Sequence, residues 1–178
     1  MSWGFYTSAG SQKTGSGMVN LGTFTVGSTS LTFSSIPQSY SNLRVIWIAQ
    51  GSRASYANTG GRFTINGATT YYDQIYTTST GSAALASQSS WYIGQIPTAT
   101  RTNDNYVCNV IIDIPSYAKT NMIKGFSSTC SGHDGTTQLN AVCCGTNRAD
   151  VAAVTSIALT DDVASTPGTR SFAQLWAY

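Results

Sequence analysis

Leu43-Arg44-Val45-Ile46-Trp47-Ile48 decides the fold class. Alternation puts Leu43, Val45 and Trp47 on one side of an extended chain and Ile46 and Ile48 on the other. A short run rich in β-branched and aromatic residues, apolar on both sides, marks a central strand of a sheet.

Other short strands flank it. On the N-terminal side Phe24 and Val26 alternate, followed by Leu31 and Phe33. On the C-terminal side Phe63 and Ile65 lead into Asn66-Gly67, a hairpin-turn signal. Tyr71-Tyr72 and Ile75-Tyr76 follow, and Trp91-Tyr92-Ile93 resumes strand character. Residues 77–90 are Ser, Thr, Ala and Gly in the main, room for a short helix at 83–86, and are expected to form a surface loop. The longest apolar strand is expected over 106–114, closed by Pro115, with meander partners at 122–130 and 139–144. The turn between these partners falls on Ser131-Gly132-His133-Asp134-Gly135. Segments 154–159 and 171–177 finish the pattern. About eight to ten strands with regular turn signals predict an all-β chain, an antiparallel β-sandwich or jelly roll. No internal repeat divides it, so residues 23–178 are expected to form a single domain.

Composition points the same way. The chain has 178 residues, enough to bury a core without disulfides or metals. Charged residues are only 9%, far below the usual quarter or so of a soluble domain. All seven acids are aspartates, and Asp favours turns. Glu and Lys, the usual polar fillers of a helix surface, are absent or scarce. A net charge of +2 from scattered Lys and Arg gives no stripe for nucleic acid. No apolar run approaches the roughly 18 residues that span a membrane. The start, Met1-Ser2-Trp3-Gly4-Phe5-Tyr6, lacks the basic and apolar regions of a secretion signal, which predicts a cytoplasmic origin. In that compartment Cys108, Cys130, Cys143 and Cys144 are expected to be free thiols.

Residues 1–22, rich in Gly and Ser, predict an extended N-terminal arm. Its aromatic tip, Trp3, Phe5 and Tyr6, must be hidden either on the chain's own domain or on a neighbouring subunit. These three are the candidate interface residues.

Candidate chemistry is sparse. The one histidine, His133, lies in a Gly-His-Asp-Gly stretch that reads as an exposed turn. A zinc cluster of Cys130, His133, Cys143 and Cys144 has tolerable spacing at Cys130 and His133. Adjacent cysteines in a strand point to opposite faces, however, so Cys143 and Cys144 do not aim at one ion. Asp161-Asp162, Asp73 and Asp113 show no spacing that singles out a glycosidase pair. Asp134, Asp161 and Asp162 lie in no calcium-loop motif, and phosphate-cradling glycines and a nucleophile elbow are absent. No catalytic residue, metal or cofactor is therefore expected. Four Trp and ten Tyr suit sheet faces and interfaces, with a sugar-binding platform as the alternative.

One stretch is familiar. Leu31-Thr32-Phe33-Ser34-Ser35-Ile36-Pro37-Gln38-Ser39-Tyr40-Ser41-Asn42-Leu43-Arg44-Val45 resembles a family of small virion structural proteins of tailed bacteriophages. In that family an apolar strand leads to a Ser-Ile-Pro-x-x-Tyr-x-x-Leu corner. Phe63 to Gly67 resembles its Phe-Asn-Gly hairpin, with Tyr71 or Tyr72 beyond it. Ile111 to Tyr117 resembles its Ile-x-Ile-Pro-x-Tyr corner, and 154–159 and 172–178 its last two strands. The four cysteines and the Gly/Ser-rich arm depart from the family pattern. The resemblance implies a jelly-roll-like domain on the phage particle, assembled in the host cytoplasm. The leading expectation is a capsid decoration or cement protein, not an enzyme, that binds the major capsid protein or other virion proteins as a dimer or trimer. It involves neither nucleic acid nor membrane. The alternative is a tail or fibre component with a carbohydrate-binding face, and an enzyme such as a depolymerase is the third reading. A charge-poor sandwich is also more comfortable with its strand edges covered in an assembly.

Overall fold

The computed structural model describes residues 17–25, 31–51, 58–70, 72–78, 81–98, 106–148, 151–162 and 170–178. Among them are twelve strands and no helix. In chain order these are β1 (Val19–Thr25), β2 (Leu31–Phe33), β3 (Asn42–Ala49), β4 (Asn58–Ile65), β5 (Tyr72–Thr78) and β6 (Gly81–Gln88), then β7 (Trp91–Pro97), β8 (Cys108–Pro115), β9 (Lys124–His133), β10 (Gln138–Asn147), β11 (Ile157–Asp161) and β12 (Phe172–Ala177). They form two sheets. The large one has eight strands in the order β1-β12-β3-β8-β9-β10-β5-β6, and the small one has four in the order β2-β11-β4-β7. Every pairing between these strands is antiparallel. The expected all-β sandwich is therefore present, with more strands than the sequence indicated.

Alternation builds the core. In β3, Leu43, Val45, Trp47 and Ala49 are buried, while Arg44, Ile46 and Ile48 on the other side are half-buried. In β8, Cys108, Val110, Ile112 and Ile114 face inward, with Val45 opposite Ile112 and Trp47 opposite Val110. The small sheet answers with Phe63, Ile65, Trp91, Ile93, Ile157 and Leu159. Between the sheets Phe63, Tyr72, Trp91 and Phe126 form an aromatic cluster with ring centroids 4.5–5.0 Å apart. Each such buried side chain contributes roughly 1.5–3 kcal/mol of transfer free energy.

Several sequence expectations change here. The first strand starts at Val19, within the segment assigned to the arm, because Val19 to Thr25 pair along β12. Most of the stretch expected to be a loop is strand: residues 77–78 and 81–88. It completes β5 and forms β6, an edge strand paired to β5. Small residues hid it: Ala, Ser and Gly carry no period-2 contrast, yet the backbone ladder still forms. His133 closes β9 and is paired with Gln138, which moves the tight turn to 134–137. Asn66 and Gly67 do make a turn, with φ of 51° and 67° and the Ala68 N–H bonded to the Ile65 carbonyl at 2.9 Å. That turn joins no hairpin, since it carries the chain from β4 in the small sheet to β5 in the large one. The side chain of Asn66 fixes the corner by accepting from Thr155 N–H at 2.8 Å and donating to the Ala153 carbonyl at 3.0 Å. At another corner the Tyr117 hydroxyl donates to the Pro37 carbonyl.

Candidate functional site: the outer face of the large sheet

The small sheet covers one face of the large sheet. Among the described residues no element lies over the other face. Strand register sets its side chains in rows. One row runs Gln174, Ile46, Ile111, Thr129, Val142, Thr77 from β12 to β5. The next runs Trp176, Arg44, Asp113, Ser127, Cys144, Ile75, Ala84 from β12 to β6. Val142 is 62% exposed and Ile75 60%, the largest exposures among the large apolar residues described.

Among the described residues, the charges in these strands are paired. Arg44 and Asp113 make a two-pronged contact, Nε to Oδ1 at 2.7 Å and Nη2 to Oδ2 at 2.9 Å. The hydrogen bond to Asp113 keeps the guanidinium firmly protonated. Asp73 pairs with Arg148 and accepts the Ser87 N–H at 2.8 Å. Between β5, β8, β9 and β10 lies an open trough of about 650 Å³, lined by Ile75, Ala84, Leu85, Pro115, Ser127 and Cys144 among others. Gly125 lines it too, with the Gly145 carbonyl oxygen and the Thr146 methyl nearest to where a side chain would start. The surface can cover a partner with shape and apolar area. Its described acids, Asp113 and Asp73, are each held by an arginine.

The residues weighed for chemistry are dispersed. Cys143 is buried between the sheets and Cys144 is exposed on the outer face, the opposed orientation read from the sequence. His133 is exposed, with Nδ1 accepting the Gly135 N–H at 2.8 Å. Among the described residues no group of three His, Cys or Asp is arranged to hold a metal ion. Cys108 and Cys130, distant in sequence, come together instead: both thiols lie 3.4 Å from the Gln95 carbonyl oxygen. Asp162 pairs with Arg62 and accepts the Gly60 N–H at 2.8 Å. Its neighbour Asp161 is buried at the end of β11. Asp134 holds the turn after β9: burial alone would raise its carboxyl, but bonds from Thr136, Asn58 and Thr137 bring it down to about 2. The candidate interface residues Trp3, Phe5 and Tyr6 lie outside the described residues.

Sequence reasoning missed the trough and the open edge beside it, because residues 81–88 carry no pattern that marks a strand. No family model, curated protein or solved structure matches the chain.

Proposed function

We propose that this chain is a non-enzymatic structural protein of a tailed-phage particle, a capsid decoration or cement protein that packs on the major capsid protein and stabilises the assembled shell. The observation that carries the reading is the outer face of the large sheet. An antiparallel sheet that ends at solvent normally presents polar side chains there. This one presents Ile46, Ile111, Val142 and Ile75 among Ser and Thr, with its charges already paired. Such a face can be dried against another protein without stranding an unpaired charge. The corners at Ile36-Pro37 and Ile114-Pro115, on which the resemblance to phage virion proteins rests, support the same class. In this reading the tip residues Trp3, Phe5 and Tyr6 anchor the chain to a neighbouring subunit.

A second reading, a tail or fibre component with a carbohydrate-binding face, has one observation in its favour. Tyr76 and Tyr92 meet edge to face with centroids 5.0 Å apart, and the Arg62 guanidinium lies 5.8 Å from the Tyr92 ring. Half-buried rings beside a paired Arg and Asp are a surface on which a sugar can stack.

Immunogold labelling of purified particles with an antibody to this chain tests both. Label over the shell is the expected result. Label confined to the tail favours the second reading, and particles carrying none of the chain overturn both.

A further inference from the structure

The large sheet ends at β6, and among the described residues no strand pairs with its free edge. Natural sheets blunt such edges with charge, proline, bulges or brevity. The other described edges follow that rule. β2 has three residues, β7 ends in Pro97, and the register of β1 breaks between Asn20 and Gly22. β6 is eight residues long and reads Gly-Ser-Ala-Ala-Leu-Ala-Ser-Gln, with neither charge nor proline. Its one irregularity lies opposite Tyr72 to Gln74, at its far end, and leaves 81–85 in regular register with β5.

We infer that β6 is a self-association edge: it pairs antiparallel with β6 of a second copy about a two-fold axis near Ala84, joining two large sheets into one. The occupant follows from the edge itself. A two-fold axis normal to the sheet pairs residues that share a face. Centred on Ala84, it sets Ala84 against Ala84 and Ser82 against Ala86 on the outer side. On the other side it sets Leu85 of each copy against Ala83 of the other, large beside small. No like charges meet, which is the usual obstacle to a strand pairing with itself. The trough beside β6, walled by Ile75 and floored in part by Ala84, then runs on across the axis into its symmetry mate. The ladder satisfies the free N–H and C=O groups of the edge, and the small side chains lose little rotamer freedom on pairing.

This inference deepens the assembly reading but rests on β6 alone. Sedimentation equilibrium of the full chain over a micromolar concentration range tests it. The chain is expected to form a reversible dimer. Ala84→Lys and Ala84→Glu, at an exposed position, should each weaken association by roughly tenfold or more, because like charges then sit opposite each other. Mixing the two variants in equal amounts should restore the dimer, which a folding defect would not do. A wild-type chain that stays monomeric, an Ala84→Lys chain that associates as the wild type does, or a mixture that fails to recover would overturn the inference. A dimer formed by a chain that labels no particle would leave it standing while removing the virion reading. Label on particles with a monomer in solution would do the reverse.

Discussion

Val151 lends its carbonyl oxygen to the ammonium of Lys124 at 3.1 Å, inside the protein. Lys124 is 1% exposed, and the carbonyls of Met122, at 2.8 Å, and Lys119 also accept from it. One buried cation thus ties the segment before β9 to the segment before β11, while the side chains of Met122 and Val151 stay exposed. Lys124→Met would fill the space but leave these carbonyls without their donor. Each stranded buried acceptor costs on the order of 1–3 kcal/mol, partly offset by the desolvation the lysine no longer suffers. The expected loss is about 2 kcal/mol or more, read as a lower urea midpoint at unchanged slope. An unchanged midpoint would mean the cage contributes nothing.

Tyr72 secures the passage between sheets. Its hydroxyl accepts the Ile65 N–H at 3.1 Å and faces the carbonyls of Ala68 at 3.1 Å and Ile65 at 3.3 Å, and the side chain is fully buried. Tyr72→Phe keeps the ring contact with Trp91 and removes the hydroxyl alone. It should destabilise the chain by about 1–3 kcal/mol, and amide exchange at Ile65 should quicken more than at residues of β3.

These two residues show where the sequence was legible. Strands whose inward positions are large, such as β3 and β8, announce themselves by alternation, and Pro115 and the Asn66-Gly67 pair mark real corners. Lys124 was not legible, because a lysine ahead of Phe126 looks like an exposed strand start, and only the fold brings the carbonyls of Met122 and Val151 to it. β6 was hidden for a different reason. Its stability comes from backbone pairing with β5, which small side chains do not advertise. That Asn66-Gly67 changes sheets depends on which strands β4 and β5 join, a long-range property that local turn chemistry does not encode. The trough shares that origin: Pro115, Gly125 and Ala84 line one surface only because β5, β6, β8, β9 and β10 share a sheet.

Asp134 should give the chain an acid-sensitive step. Its folded value of about 2 lies below the ordinary 3.8. A carboxyl depressed by folding contributes stability above its unfolded value, and that contribution fades as pH falls from about 4 towards 2. The size is about 2 kcal/mol. Asp134→Asn should therefore be less stable than the wild type at neutral pH, with the gap closing near pH 2. The comparison is a pair of urea midpoint-against-pH curves, and parallel curves across that window would refute the assignment.

The four thiols should separate into one reactive group and three silent ones. Cys144 is exposed on the outer face of β10, whereas Cys108, Cys130 and Cys143 are buried between the sheets. Burial pushes the Cys143 thiol up to about 12. Cys108 is raised by its hydrogen bond with Cys130 and then by burial. The thiolate is the nucleophile, so Cys108 and Cys143, which resist ionisation and are shielded from solvent, are doubly protected, and Cys130 is shielded by burial. An aromatic disulfide reagent at mildly alkaline pH should release one equivalent quickly from the folded chain, and all four only once denaturant opens the sandwich. Cys144→Ser should abolish the fast phase and leave the slow one intact. Any fast thiol remaining in that variant would mean that the sheets open around one of the inner cysteines. The fold would then be looser at that point than its packing implies.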